Sequence, residues 1–171
     1  MALDAKLLAV VQTIGADIKA LFARVMPTIA RTTATQASTS TSLTAIANLA
    51  APLVAGATYR ITGRVIFQSS GLAVGATMGF VGPAGSNALL VIAIPATALI
   101  STGTATVRTS GAAGSGSTTS VVAANTSMVA TFDGVVTVGS TAGSFALQFA
   151  TSGVGTVTVQ PGSVLVVEKL L

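Results

Sequence analysis

The period of the hydrophobic pattern changes once along this chain, and that change restricts its fold more than any other feature. Up to Val25, apolar residues recur at alternating steps of four and three, at Leu7, Val11, Ile14, Ile18, Leu21 and Val25. From about Leu43 onward the step becomes two, most clearly in Tyr59, Ile61, Gly63, Val65 and Phe67, and again in Phe145, Leu147 and Phe149. The first spacing places side chains on one face of an α-helix, and the second places them on one face of a β-strand. A helix joined to a β-domain is therefore expected, with the helix in residues 1–26, a connection in 27–42 and the β-domain in 43–171.

In heptad terms Val11, Ile18 and Val25 occupy position a, and Leu7, Ile14 and Leu21 occupy position d. β-branched residues at a with Leu at d favour dimers, whereas Ile at d shifts the preference toward trimers, so the seam alone leaves the copy number open. Leu3, Leu8, Val10 and Phe22 widen the apolar stripe beyond a strict seam. Such a helix can bind its own copies, dock on another protein, or cover its own β-domain. Three heptads are short for a free-standing coiled coil, which implies support from neighbours.

Pro27 removes a backbone donor and disfavours helical geometry at Met26, so the helix is expected to end there. The Ser/Thr/Ala-rich residues 28–42 read as an extended or flexible linker, which if ordered would lie along a partner subunit.

In the β-region, Arg60, Thr62, Arg64, Ile66 and Gln68 alternate with the apolar set, so one face is expected in the core and the other carries arginines. Further strands are expected at Ala76–Val81, Leu89–Ile94, Thr104–Arg108, Met128–Val138, Thr156–Val159 and Val164–Lys169. Gly, Pro, Ser and Asn clusters separate them, including 109–120, where Gly111 to Gly116 reads as a mobile loop and not as a phosphate loop. Asp133-Gly134 is either a hairpin turn or part of one continuous strand whose glycine admits a close neighbour. Many short strands without intervening helices predict a mainly β fold, an antiparallel β-sandwich and specifically a jelly roll.

Something must cover the apolar surface. Hydrophobic residues make up 51% of the 171 residues, charged residues 7%, and mean hydropathy is +0.84, which excludes disorder driven by charge repulsion. A spanning helix needs about 18 consecutive apolar residues. The best run, Ala88 to Ile100, is interrupted by Pro95 and is rich in strand-forming residues. Asp4, Lys6 and Asp17 break up the N-terminal apolar residues, so neither a signal peptide nor a membrane is expected. A transmembrane barrel would need aromatic girdles, and aromatics are only 4% with no Trp. The remaining way to cover apolar surface is assembly, with copies of the chain or with a partner.

The formal charge is +4, yet Lys6, Lys19, Arg24, Arg31, Arg60, Arg64, Arg108 and Lys169 are scattered, with no run and no interleaved aromatics. No nucleic-acid partner is expected. Cysteine and histidine are absent, which removes thiolate catalysis, disulfides and imidazole bases, and no metal or cofactor is expected. Asp133 and Glu168 are the only acids of the β-region and read as solvent-facing or Arg-paired residues, not as a glycosidase pair. Neither a GxSxG elbow nor an SxxK motif occurs, so no enzymatic activity is expected. Asn125-Thr126-Ser127 matches a glycosylation sequon that is expected to be silent without an export signal.

Several stretches carry a resemblance: AGATYR at 55–60, MGFVGP at 78–83, FDGVV at 132–136, GSFALQFA at 143–150 and VTVQPGSVL at 157–165. With VVQTIGADIKAL at 10–21, they make the chain resemble bacteriophage virion structural proteins of the decorating or fibre-like kind. The resemblance implies a jelly-roll-like sandwich that commonly assembles as homotrimers, and it favours a continuous strand through Gly134. It supplies packing and turn motifs and no catalytic residues. The expected role is a head decoration protein or short head fibre of the virion, bound through its N-terminal segment to its own copies or to the major capsid protein. A tail or baseplate fibre module that binds the host surface is the alternative. A carbohydrate-binding sandwich is the third, disfavoured by the scarcity of aromatics for sugar stacking.

Overall fold

The structure, a computed structural model, describes residues 2–96 and 104–170, and the side chains of all of these except residues 2, 3, 23–25 and 104–110. One helix, α1 (Ala2–Val25), precedes twelve strands. These are β1 (Thr28–Arg31), β2 (Gln36–Ser38), β3 (Thr44–Leu53), β4 (Thr58–Ser69), β5 (Ala76–Val81) and β6 (Asn87–Pro95), followed by β7 (Thr104–Gly111), β8 (Ala113–Ser117), β9 (Met128–Thr137), β10 (Gly143–Thr151), β11 (Val157–Val159) and β12 (Val164–Leu170).

The strands form two antiparallel sheets. The small one runs β3-β10-β5-β8; the large one runs β1-β12-β4-β9-β6-β7, with β11 joining β4 to β2. Between β3 and β10 the chain passes repeatedly from sheet to sheet, so that β3, β5, β8 and β10 fall in one and β4, β6, β7 and β9 in the other. Two four-stranded orders, β3-β10-β5-β8 and β4-β9-β6-β7, result from this winding. That is the double Greek key of a jelly roll, to which β12, β1, β11 and β2 add on the β4 side.

The two-residue alternation explains why these segments are strands and where the core lies. Ile61, Val65 and Phe67 of β4 are fully buried and Tyr59 nearly so, while Arg60 and Arg64 between them are exposed. Phe145, Leu147 and Phe149 of β10 are likewise buried, and the rings of Phe145 and Phe80 stack at 5.6 Å within the small sheet. Between the sheets, Gly63 of β4 leaves room for Leu147 and Phe132: a Cβ there would sit 3.0 and 3.3 Å from them. The hydroxyl of Tyr59 accepts the Val54 amide at 2.9 Å and so fastens the turn between β3 and β4.

Two sequence expectations are corrected, and one left open is decided. Residues 27–42 are not a linker laid along a partner. β1 pairs with β12 from Thr28↔Val167 to Arg31↔Val164, and β2 pairs with β11, both within the chain's own large sheet. The pattern hid them, because only Ala30 of β1 turns toward the core and β2 has no large apolar side chain. The segment 111–116 is not a loop: β8 pairs with β5 from Thr77↔Ser117 to Val81↔Ala113. Its residues are too small to show alternation. Of the two readings open for Asp133-Gly134, the continuous strand holds, since β9 runs unbroken through it between β4 and β6.

The return of β1 is locked by side chains. Thr32 donates its hydroxyl to the Gln160 carbonyl at 3.0 Å and accepts the Ser163 amide at 3.1 Å. Ser163, fully buried, donates to the same carbonyl at 2.9 Å and accepts the Ile66 amide at 2.9 Å. Gln36 of β2 uses its side-chain amide like a short strand, donating to the Ala45 carbonyl at 3.0 Å and accepting the Ala47 amide at 2.8 Å. It thereby ties the large sheet to β3 of the small one, beside Asn48, whose φ of 64° breaks the regular ladder there.

Candidate assembly surface

α1 is left largely uncovered by its own sandwich. Every side chain from Asp4 to Phe22 is exposed, and the helix meets the sandwich at β12. The possibility that it covers its own β-domain is therefore corrected. The reason is geometric: Thr28 enters β1, the edge strand of the large sheet, opposite Val167 midway along β12, and the helix precedes that entry outside the sheet. Of the expected seam, Leu7, Val11, Ile14, Ile18 and Leu21 are each about half exposed or more, and the Val25 side chain lies outside the described residues. Leu8, Val10 and Phe22 are exposed beside them and widen the stripe. Gly15 has nothing near it, so no contact within the chain explains the glycine.

The sandwich has two unlike outer faces. All seven charged residues after Met26, five basic and two acidic, lie on strands of the large sheet: Arg31, Arg60, Arg64, Arg108, Asp133, Glu168 and Lys169. The small sheet has none, and its outward positions are small or uncharged, among them Ala47, Ala50, Ser144 and Gln148.

On the large sheet, exposed apolar residues interleave with those charges. Leu89 pairs across to Val135, which pairs on to Arg60 and then Glu168. The next outward row runs Val91, Asp133, Thr62, Val166 and Ile29, so it crosses the sheet from β6 to β1. Ile29 and Leu89 are almost two-thirds exposed, and Val91, Val129 and Val135 are exposed as well. Sequence reasoning about sites passed over this face. Its signal was present in the runs Leu89-Leu90-Val91-Ile92 and Val135-Val136, because a strand apolar at consecutive positions is apolar on both faces.

The two acids of the β-region fall on this face. The Asp133 carboxylate lies 3.9 Å from the Arg60 guanidinium, with both side chains more than half exposed. Glu168 stands opposite Arg60 across the β4–β12 ladder, so the acids flank one arginine from strands on either side of it. Two strand spacings and a two-residue offset along the strands put their backbones about 12 Å apart. This is a surface charge cluster, and an exposed pair of this kind adds about 0.2–1 kcal/mol at most.

The sandwich end remote from α1 carries the loops that follow β4, β8 and β10, and Leu72, Val122 and Val154 project there. An open cleft of about 450 Å³ lies beside them, lined by Thr39, Thr41 and residues 153–156 without a charge. Among the described residues no group of three or more acidic, His or Cys side chains is gathered, and no helix is long and apolar enough to cross a membrane.

No family model matches the chain, and no curated protein matches it in sequence. Solved structures align with it over most of its length. Infectious bursal disease virus, Gt strain, aligns with a TM-score of 0.44 and 15% identity over 85% of this chain and 33% of that one. The VP2 protein of the same virus in derived T=1 particles gives 0.45 and 14%, over 85% and 32%. Eiger TNF from S. frugiperda gives 0.44 and 9%, over 86% of this chain and 94% of that one. This chain thus spans about a third of the length of the viral chains. The jelly-roll assignment rests on the strand order of the molecule itself.

Proposed function

We propose that the chain is a non-enzymatic structural component of a phage particle, a head decoration protein or short head fibre held by α1. The observation that carries this reading is the apolar stripe of Leu7, Val11, Ile14, Ile18 and Leu21, exposed along a helix that its own sandwich leaves uncovered. Such a surface is stable in water only when covered, and burying it contributes about 25 cal/mol per Å² of apolar area. Copies of the chain, as a homotrimer, cover the seam, and the wider N-terminal stripe meets another virion protein, the major capsid protein in the head reading. The sandwich then projects with its far loops outward, and repeated copies add avidity. The resemblance of the quoted stretches to phage virion proteins supports the viral part of this reading.

Cryo-electron microscopy of the particle tests it. Many copies on the head, with α1 at the shell and the 70–75, 118–127 and 152–156 loops outermost, is the expected result. A few copies at the tail would overturn the head assignment in favour of a tail or baseplate fibre module. That second reading draws on the exposed loop tips Leu72, Val122 and Val154, which would then face the host surface.

A further inference from the structure

We infer that assembly continues beyond the helix onto the outer face of the large sheet, where neighbouring copies of this chain pack against one another. The inference rests on the reading of α1 as a self-associating helix and extends it to a second surface.

Three observations carry it. The first is continuity. The chain passes from α1 through Met26, which is exposed, straight into β1 at the edge of the large sheet, and Ile29 begins the outward row that continues through Val166, Thr62 and Asp133 to Val91. Copies gathered by their helices therefore present this sheet edge to one another within a few residues of the seam. The second is need. A 24-residue helix with three heptads is marginal as a coiled coil without further burial. The third is chemistry. The exposed large apolar side chains on described strands, Ile29, Leu89, Val91, Val129, Val135 and Leu170, are all on the large sheet, while the small sheet's outward side chains are small.

The charges of the same face are of both signs. Arg60 and Arg64 alternate along β4, while Asp133 and Glu168 stand on the strands to either side. A face on which apolar residues flank a centre carrying both signs is self-complementary, because symmetric copies can set the acid of one against the arginine of the next. A partner of one net charge would gain less from this mixture.

The absence of cysteine makes the test direct. Val135→Cys and, separately, Leu89→Cys place a thiol on the face, and Ala50→Cys places one on the small sheet. Alkylation rates are compared in the assembled protein and in the same variants carrying Ile14→Asp, with oligomeric state followed by sedimentation and folding by circular dichroism. Leu89→Cys serves if Val135→Cys impairs folding. The expected result is at least about a tenfold slower reaction at the face in the assembled protein, restored by Ile14→Asp, with Ala50→Cys reacting equally in both. An assembled protein whose face thiols react as fast as in the Ile14→Asp background overturns this inference and leaves the helix reading standing. A chain that sediments as a monomer without Ile14→Asp overturns the helix reading, and this inference with it.

Discussion

Gly134 of β9 lies so close to Leu89 of β6 that a Cβ on the glycine would overlap the Leu89 carbonyl oxygen and come within 2.8 Å of the Leu90 Cα. The two strands pair here in register, Leu90 opposite Gly134, and Ile61 of β4 faces the glycine from the other side. The ladder through the middle of the large sheet therefore depends on a missing side chain. A clash with backbone cannot be relieved by a rotamer change; a strand has to shift. Gly134→Ala is expected to destabilise the sandwich by about 3 kcal/mol, at the upper end of overpacking costs. Urea unfolding followed by circular dichroism measures this, and Gly153→Ala, with nothing near its Cβ position, serves as the control with a change of about 0.5 kcal/mol or less.

The Thr32 and Ser163 hydroxyls make a second prediction, because both serve the Gln160 carbonyl and each also accepts a backbone amide. Thr32→Val removes one hydroxyl with little change of shape, and Ser163→Ala removes the other. Each leaves a buried amide without its acceptor, which costs about 1–3 kcal/mol. Since they share one network, the double variant should cost less than the two singles added, a coupling that a double-mutant cycle in urea measures. If the effects are simply additive, the two hydroxyls do not act as one lock. Hydrogen exchange should also show faster opening of β1 in either variant.

The Phe80–Phe145 stack joins β5 and β10 at the centre of the small sheet, with both rings fully buried. Phe145→Ala would leave a cavity beside Phe80 and is expected to cost about 3–5 kcal/mol. Phe145→Leu keeps most of the volume and should recover more than half of that loss in thermal unfolding. Equal losses for the two variants would mean that shape at this point matters more than volume.

The strands that were legible in the sequence are those whose side chains must choose between core and water. β4 and β10 alternate because Tyr59, Ile61, Phe145 and Phe149 face the core while the residues between them face outward, whereas β5, buried at five of its six positions, was marked by the glycine-containing turns on either side of it. β1, β2 and β8 were illegible for the complementary reason. What holds Ala113–Ser117 in the sheet is its pairing with β5, far away in sequence, and a strand of Ala, Gly and Ser carries no side-chain record of that pairing. The Gln36 bridge to β3 is equally silent, since a glutamine among threonines and serines reads as linker. For the candidate surface, the heptad of α1 was plain from spacing. That the helix is left uncovered was not, because exposure depends on where the sandwich lies, which local sequence does not encode.

The last prediction concerns that exposure. Ile14 and Ile18 sit one turn apart in the seam, each about half exposed, and neither touches the sandwich core. Ile14→Asp and Ile18→Asp put a carboxylate where copies of the helix are expected to meet. In an isolated chain these sites face water, so the sandwich should unfold at the same urea concentration as the parent. In an assembly, each carboxylate would be buried beside its own symmetry copies, and mutual repulsion adds to desolvation, so the oligomer or the attachment to the particle should be lost. Sedimentation and particle-binding assays read the loss, and urea unfolding at low protein concentration reads the intact fold. Variants that remain assembled would show that α1 does not associate through this seam. Variants that lose assembly and sandwich stability together would show instead that the helix contributes to the fold it leaves uncovered here.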